Sequence, residues 1–133
     1  MPGTFSYPAG PAVWDGREVL FLSFISARGL AYNPATNRWT YLPAMPLQRS
    51  WFTAVWTGQC VLVWGGLSAG TYQPPAHREA YNPATSQWTA LPGAPVHGRA
   101  DPVAVRTGRQ MIVWGGWAAA TVDTTDGAAF TPR

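Results

Sequence analysis

Two arginines at matching positions are each followed, two residues later, by a side chain able to contact a ligand. Arg49 precedes Trp51, and Arg99 precedes Asp101. A guanidinium binds anions, an indole ring stacks on apolar or sugar faces, and a carboxylate accepts hydrogen bonds or protons. Trp117 is a further tryptophan that matches no recurring position. We take these five residues as the candidate ligand-binding set.

The same residues also have a structural interpretation. An arginine that recurs along a chain can bond backbone carbonyls between neighbouring structural units, and recurrence favours this role for Arg49 and Arg99. Trp51 and Trp117 can pack in a rim loop or at a subunit interface, and we favour that role over ligand contact. Trp51 and Asp101 remain the best candidates for touching a ligand.

The other reactive side chains do not form a catalytic or metal-binding pattern. His77 and His97 occupy different loops without a neighbouring acid, which is a poor metal site. Cys60 lies in an apolar run and is predicted to be a buried structural thiol. No carboxylate recurs at a matching position among Asp15, Glu18, Glu79, Asp101, Asp123 and Asp126. We predict no catalytic residue, no metal and no cofactor.

Composition limits the classes of partner. The 133 residues include nine basic side chains, all arginine and none clustered, so the concentrated basic face that nucleic acid requires is not expected. No apolar run approaches the roughly 18 residues of a membrane helix, and the start does not resemble a secretion signal. We expect no membrane contact and a cytoplasmic location by default. Only 11% of residues are charged, which suggests a self-associating surface.

Internal repetition organises the chain. Ala31–Thr40 recurs as Ala80–Thr89 after 49 positions, and Val63–Gly66 recurs as Val113–Gly116 after 50 positions. The two candidate arginines are separated by the same 50 positions. A divergent copy begins at Ala12, and the last copy continues to the end of the chain. The sequence therefore contains three units of about 50 residues.

Each unit is predicted to consist of short strands. Phe52–Trp56 and Cys60–Trp64 flank a turn in which Gly58 suits a tight hairpin with positive φ. The Asn-Pro-Ala-Thr segments are typical of turns, and Trp39 and Trp88 open a fourth short strand. No segment has a helical period, so the fold class is all-β.

This combination resembles the kelch repeat. The shared features are the period, a diglycine at the end of the second strand, a tyrosine in the third strand and a tryptophan in the fourth. An arginine also lies sixteen residues before each diglycine. The resemblance covers nearly the whole chain, with Phe130 replacing the last tyrosine. Its structural anchors are Gly65, Gly66, Gly115, Gly116, Tyr32, Tyr81, Trp39 and Trp88.

The resemblance implies β-propeller blades of four antiparallel strands, packed face to face around a channel. The glycines would allow close backbone approach, and the large aromatic side chains would fill the space between blades. Three blades are too few to close a ring, so we expect a homodimer that forms six blades.

The domain prediction is one partial propeller over residues 1–133. An N-terminal outer strand within 1–11 would complete the last blade of a neighbouring chain. Blade 1 covers 12–46, blade 2 covers 47–95, and blade 3 covers 96–133 without its own outer strand.

Three functional interpretations remain open. The preferred one is a non-catalytic propeller scaffold that binds a protein or small ligand through its channel mouth and loops. The second is a small-sugar enzyme, similar to mutarotase- or epimerase-like kelch proteins, with Asp101 and Arg99 near the reacting centre. The third is a truncated or designed propeller fragment without a selected ligand.

Overall fold

The computed structural model describes residues 9–23, 28–68, 70, 78–92, 98–119, 122–123 and 126–131. These residues form thirteen strands in four sheets, and neighbouring strands in each sheet are antiparallel. No helix occurs among them, and hence none that could cross a membrane. The all-β prediction is confirmed.

Two sheets have the same four-stranded order. The first contains β1 (Ala9–Trp14), β2 (Val19–Ser23), β3 (Leu30–Asn33) and β4 (Arg38–Tyr41). The second contains β5 (Arg49–Trp56), β6 (Val61–Ser68), β7 (Arg78–Asn82) and β8 (Gln87–Leu91).

The third repeat is divided between two smaller sheets. Its strands in chain order are β9 (Val103–Thr107), β10 (Gln110–Trp114), β11 (Trp117–Ala119), β12 (Val122–Asp123) and β13 (Gly127–Phe130). The third sheet has the order β13-β10-β9, and β11 pairs with β12 separately.

The predicted turns form through local side-chain bonds. Gly58 has φ of 94°, as its hairpin requires. The amide oxygens of Asn33 and Asn82 each accept a 3.0 Å bond from the backbone N–H two residues later, at Ala35 and Ala84. Asparagine followed by proline thus reverses the chain at the same place in both four-stranded sheets.

The diglycines behave differently in the second and third repeats. β6 runs through Gly65 and Gly66 to Ser68, so this diglycine lies inside a strand and does not end it. In the third repeat β10 stops at Trp114 before its diglycine. Pro102 occupies the position that corresponds to Phe52, and proline has no N–H to pair across the sheet. The longer strand of the second sheet is therefore interrupted in the third.

The core lies on both faces of the second sheet. One cluster packs it against the first sheet and contains Val13, Leu20, Leu22, Ala31, Leu42, Met45, Phe52, Val61, Val63 and Tyr81. The other packs it against the third sheet and contains Val55, Leu62, Trp64, Ala80, Met111 and Val113. Because alternate residues of a strand face opposite sides, β6 can supply both clusters only by being apolar at successive positions.

The first strands of the three main sheets lie beside one another, β1 against β5 and β5 against β9. Between the second and third sheets the backbones bond directly: the Gly66 N–H donates to the Arg99 carbonyl at 2.8 Å, and the Asp101 N–H donates to the Trp51 carbonyl at 2.7 Å. A Cβ added at Gly65 would lie 2.6 Å from the Arg99 carbonyl oxygen. Glycine is required because any side chain would separate the two sheets.

Only residues 9–11 of the predicted N-terminal outer strand lie among the described residues. β1 begins at Ala9, so Ala9–Pro11 lies in the first sheet. Residues 1–8 of the predicted N-terminal outer strand lie outside the described residues, as do His77 and His97.

Replacing Gly66 with alanine should destabilise the fold more than the same change at Gly16. Both glycines have positive φ, 89° and 98°, so each substitution incurs about 1–2 kcal/mol of backbone strain. Only at Gly66 would the new Cβ also meet a backbone oxygen, that of Ser50 at 2.5 Å, whereas Gly16 has nothing within 4 Å. Denaturant unfolding measures both, and equal losses would contradict the close-approach explanation.

Candidate functional site

The two recurring arginines are buried; Arg49 is the first residue of β5, and Arg99 lies four residues before β9. The Arg49 Nη1 donates to the Gly65 carbonyl at 3.1 Å. The Arg99 Nη1 donates to the Gly115 carbonyl at 3.3 Å. Each arginine therefore bonds the carbonyl of the first glycine in the diglycine of its own repeat, sixteen residues later.

Arg49 forms a completely buried ion pair. Its Nη2 lies 3.1 Å from the Glu79 Oε2, and neither side chain has solvent exposure. The Glu79 Oε1 accepts a second bond, 2.9 Å long, from the Leu47 N–H. Burial lowers the pKa of the Arg49 guanidinium, and the Glu79 carboxylate opposes that shift. The pair fixes the backbone around the diglycine and faces no solvent.

Arg99 reaches its acid from a different direction. Its Nη1 lies 2.7 Å from the Asp126 Oδ1 and also donates to the Asp126 carbonyl at 3.0 Å. The Asp126 side chain is 67% exposed, so solvent screens this pair. When the repeats are aligned, the position of Glu79 is occupied by Ala128 in the third repeat. Asp126, two residues before Ala128, supplies the negative charge instead.

These acid partners were not anticipated from the sequence. Glu79 and Asp126 occupy different places in their repeats, so the periodicity that identified the arginines could not identify them. The usable signal was chemical: an arginine buried beside a diglycine needs a counter-charge nearby.

Trp51 and Asp101 are brought together at the surface. Trp51 is 47% exposed, and Asp101 is also exposed. The hydrogen bond from the Asp101 N–H to the Trp51 carbonyl links their backbones. Both have positive φ, 59° and 51°, which for a bulky residue such as tryptophan is a strained conformation. Of the sequence-predicted candidates, these two are adjacent and accessible.

Trp117 lies next to them in the backbone network. Its N–H and carbonyl exchange bonds of 3.0 and 2.9 Å with Ala100, the residue before Asp101. Its side chain is half-buried. Fifty positions earlier Leu67 pairs in the same way with Ser50, so Trp117 does occupy a repeated position, although its residue type does not recur.

The aromatic anchors form matched pairs. The Tyr32 and Trp39 rings are 4.7 Å apart, and the Tyr81 and Trp88 rings are 5.1 Å apart. Tyr81 belongs to the cluster between the first and second sheets, and the Trp88 Nε1 donates to the Pro43 carbonyl across that interface at 3.1 Å.

The remaining reactive groups do not assemble. Cys60 is a half-buried free thiol that packs against the second cluster, and burial raises its pKa. Within the described residues no three histidine, cysteine, aspartate or glutamate side chains form a metal-binding group. A groove of about 380 Å³ between the first two sheets is lined in part by Asp15, Glu18 and Trp56. The Trp51–Asp101 surface lies outside this groove.

No protein-family model matches the sequence, and no curated protein matches it. The functional interpretation therefore rests on the geometry of the site.

Changing Glu79 to glutamine should lower the free energy of unfolding by about 3–5 kcal/mol, because it leaves the buried Arg49 charge without a counter-ion. The matched change Asp126→Asn should lower it by less than about 1 kcal/mol, because that carboxylate is largely exposed. Chemical denaturation of both variants measures the difference. Similar values would show that Arg49 is not held by Glu79.

Proposed function

We propose that this chain is half of a kelch-type propeller that acts as a non-catalytic binding scaffold. Two copies form one ring, and the Trp51–Asp101 surface contacts a partner protein. The observation that carries the proposal is the pairing of these two exposed, positive-φ residues at equivalent positions of successive repeats.

The repeat architecture supports a scaffold. Two sheets with identical strand order pack on one another, and the third repeat packs on the second in the same sense through its own apolar residues. The first strands of the three sheets are adjacent, an arrangement expected of blades around a common axis. Such a scaffold presents its connecting residues at fixed positions, where ligands bind.

The surface has a definite chemical preference. An indole ring attracts a cation through its π face, and a carboxylate pairs with the same charge. Trp51 and Asp101 therefore suit an arginine or lysine side chain of a partner segment. Because Trp51 and Asp101 are both exposed at the surface, they suit contact with an extended protein segment.

The sugar-enzyme interpretation depends on Asp101 acting with Arg99. The Arg99 guanidinium is buried and bonds Gly115 and Asp126, so it does not present itself beside Asp101 to a substrate. Binding without chemistry is the function that this arrangement favours.

Removing the Trp51 ring should weaken binding without loss of stability. Trp51→Gly suits the positive φ, and Asp101→Asn retains a residue tolerated in this conformation. On an array of Gly/Ser peptides that each carry one Arg, Lys, Glu or Trp, the unaltered protein should bind the peptides that carry Arg or Lys. Each variant should weaken them by about 2- to 30-fold.

Tyr41→Ala is the control, since it removes a 60% exposed aromatic ring from another strand. A Trp51→Gly protein that binds as the unaltered protein does would refute the site. Turnover of a sugar that is lost in Asp101→Asn would replace the proposal with the enzyme interpretation.

The closed ring makes a separate prediction. Light scattering coupled to size exclusion should give twice the 14.4 kDa chain mass. A species of single-chain mass at micromolar concentration would contradict the homodimeric ring.

A further inference from the structure

The third sheet has an open apolar face, which we call the third-sheet outer face: Val103, Val105, Ile112 and Trp114. Val103 pairs with Trp114 across the sheet and Val105 with Ile112, so the four side chains share one side. Val105 is 51% exposed and Trp114 57%. None of the four is charged.

The same positions are buried one repeat earlier. Val55 and Trp64 correspond to Val105 and Trp114 fifty positions later, and they are only 8% and 3% exposed. With Leu62 and Ala80 they form the second sheet's buried contribution to its interface with the third sheet. The third-sheet outer face therefore repeats a surface that is already an interface elsewhere in the chain.

The first sheet has an open face of the complementary kind. We call it the first-sheet outer face, and none of its members is charged. The Phe21 ring stacks on the Trp39 ring, and the Tyr32 ring contacts Trp39 at a tilt of 33°. Trp14 at its edge is 52% exposed. Forty-two positions later Trp56 occupies the corresponding place and packs against the cluster between the first and second sheets. The members of this face are Trp14, Val19, Phe21, Tyr32 and Trp39.

We infer that the third-sheet outer face of one copy packs on the first-sheet outer face of a second copy. This inference rests on the proposed ring and specifies which face of one copy contacts which face of the other. Trp114 would take the place that Trp64 has inside the chain, and Trp14 of the second copy the place of Trp56. A two-fold ring then contains two equal head-to-tail contacts.

A second copy is favoured over other occupants because the chain carries both halves of the same interface. Within one molecule, a surface of the third-sheet type meets its partner twice, once between the first and second sheets and once between the second and third. The third-sheet outer face has no partner of the first-sheet type within its own chain, and the first-sheet outer face has no partner of the third-sheet type among the described residues. A second copy supplies both. Pairing like with like would bring together two surfaces that meet nowhere in this fold.

A negative charge placed on either face tests whether the contact is head-to-tail. Trp114→Glu and Trp14→Glu alter exposed side chains, so each chain should keep its own core. If the contact is head-to-tail, each variant alone loses both contacts and falls from twice the chain mass to 14.4 kDa. An equal mixture of the two variants retains one intact contact, so a dimer should reappear by light scattering and chemical cross-linking.

Gln87→Glu is the control, because it adds the same charge to an exposed position on the outermost strand of the second sheet and should remain dimeric. Like-with-like pairing would leave one variant dimeric alone and would overturn the inference while preserving the ring. A mixture that remains at single-chain mass at every concentration would also overturn it. A monomeric unaltered protein would refute the proposed ring itself. Circular dichroism of each variant verifies that the strands are retained.

Discussion

A β-sheet that is apolar on both faces needs cover on both faces, and the second sheet meets this requirement within one chain. β6 is buried along Val61–Gly66, with alternate side chains in two different clusters. Among the described residues, the apolar clusters of the first and third sheets lie on the faces toward the second sheet, and the opposite faces carry exposed aromatic and β-branched residues such as Trp14, Val105 and Trp114. The stability of the chain is therefore concentrated in the middle sheet, and its surface chemistry is set by the outer two.

Close packing of the sheets depends on the backbone as much as on side chains. At the junction of the second and third sheets, N–H groups of Gly66 and Asp101 bond carbonyls of the opposite sheet. Such bonds need the backbones to approach closely, which a diglycine permits and a pair of larger residues would prevent. The buried arginines also hold the backbone at the diglycines, because each donates a hydrogen bond to a glycine carbonyl. Each arginine is paired with an acid, and the two acids occupy different positions in their repeats.

Periodicity predicted the parts of the fold that repeat. The strands around Gly58, the asparagine turns and the fourth strands that contain Trp39 and Trp88 are all present, although each fourth strand begins one residue before its tryptophan. It could not predict the broken strand of the third repeat, where one proline removes a donor, nor Glu79 and Asp126, which satisfy the same charge requirement from unequal positions. Repeat spacing selected Trp51 and Asp101 as ligand-contact candidates, but their positive φ was not predicted, because neither residue type signals it as glycine does.

The two open apolar faces of the chain differ from each other, so contacts between unlike faces would join successive copies in a single direction. Such contacts close into a ring only when the angle between successive sheets divides the circle evenly, and the same contacts continue into a fibre when it does not. In the proposed ring, residues that set this angle, including the glycines between the sheets, would govern whether the copies form a finite particle or a polymer. Uniform assembly would then depend on the angle between successive sheets more than on affinity.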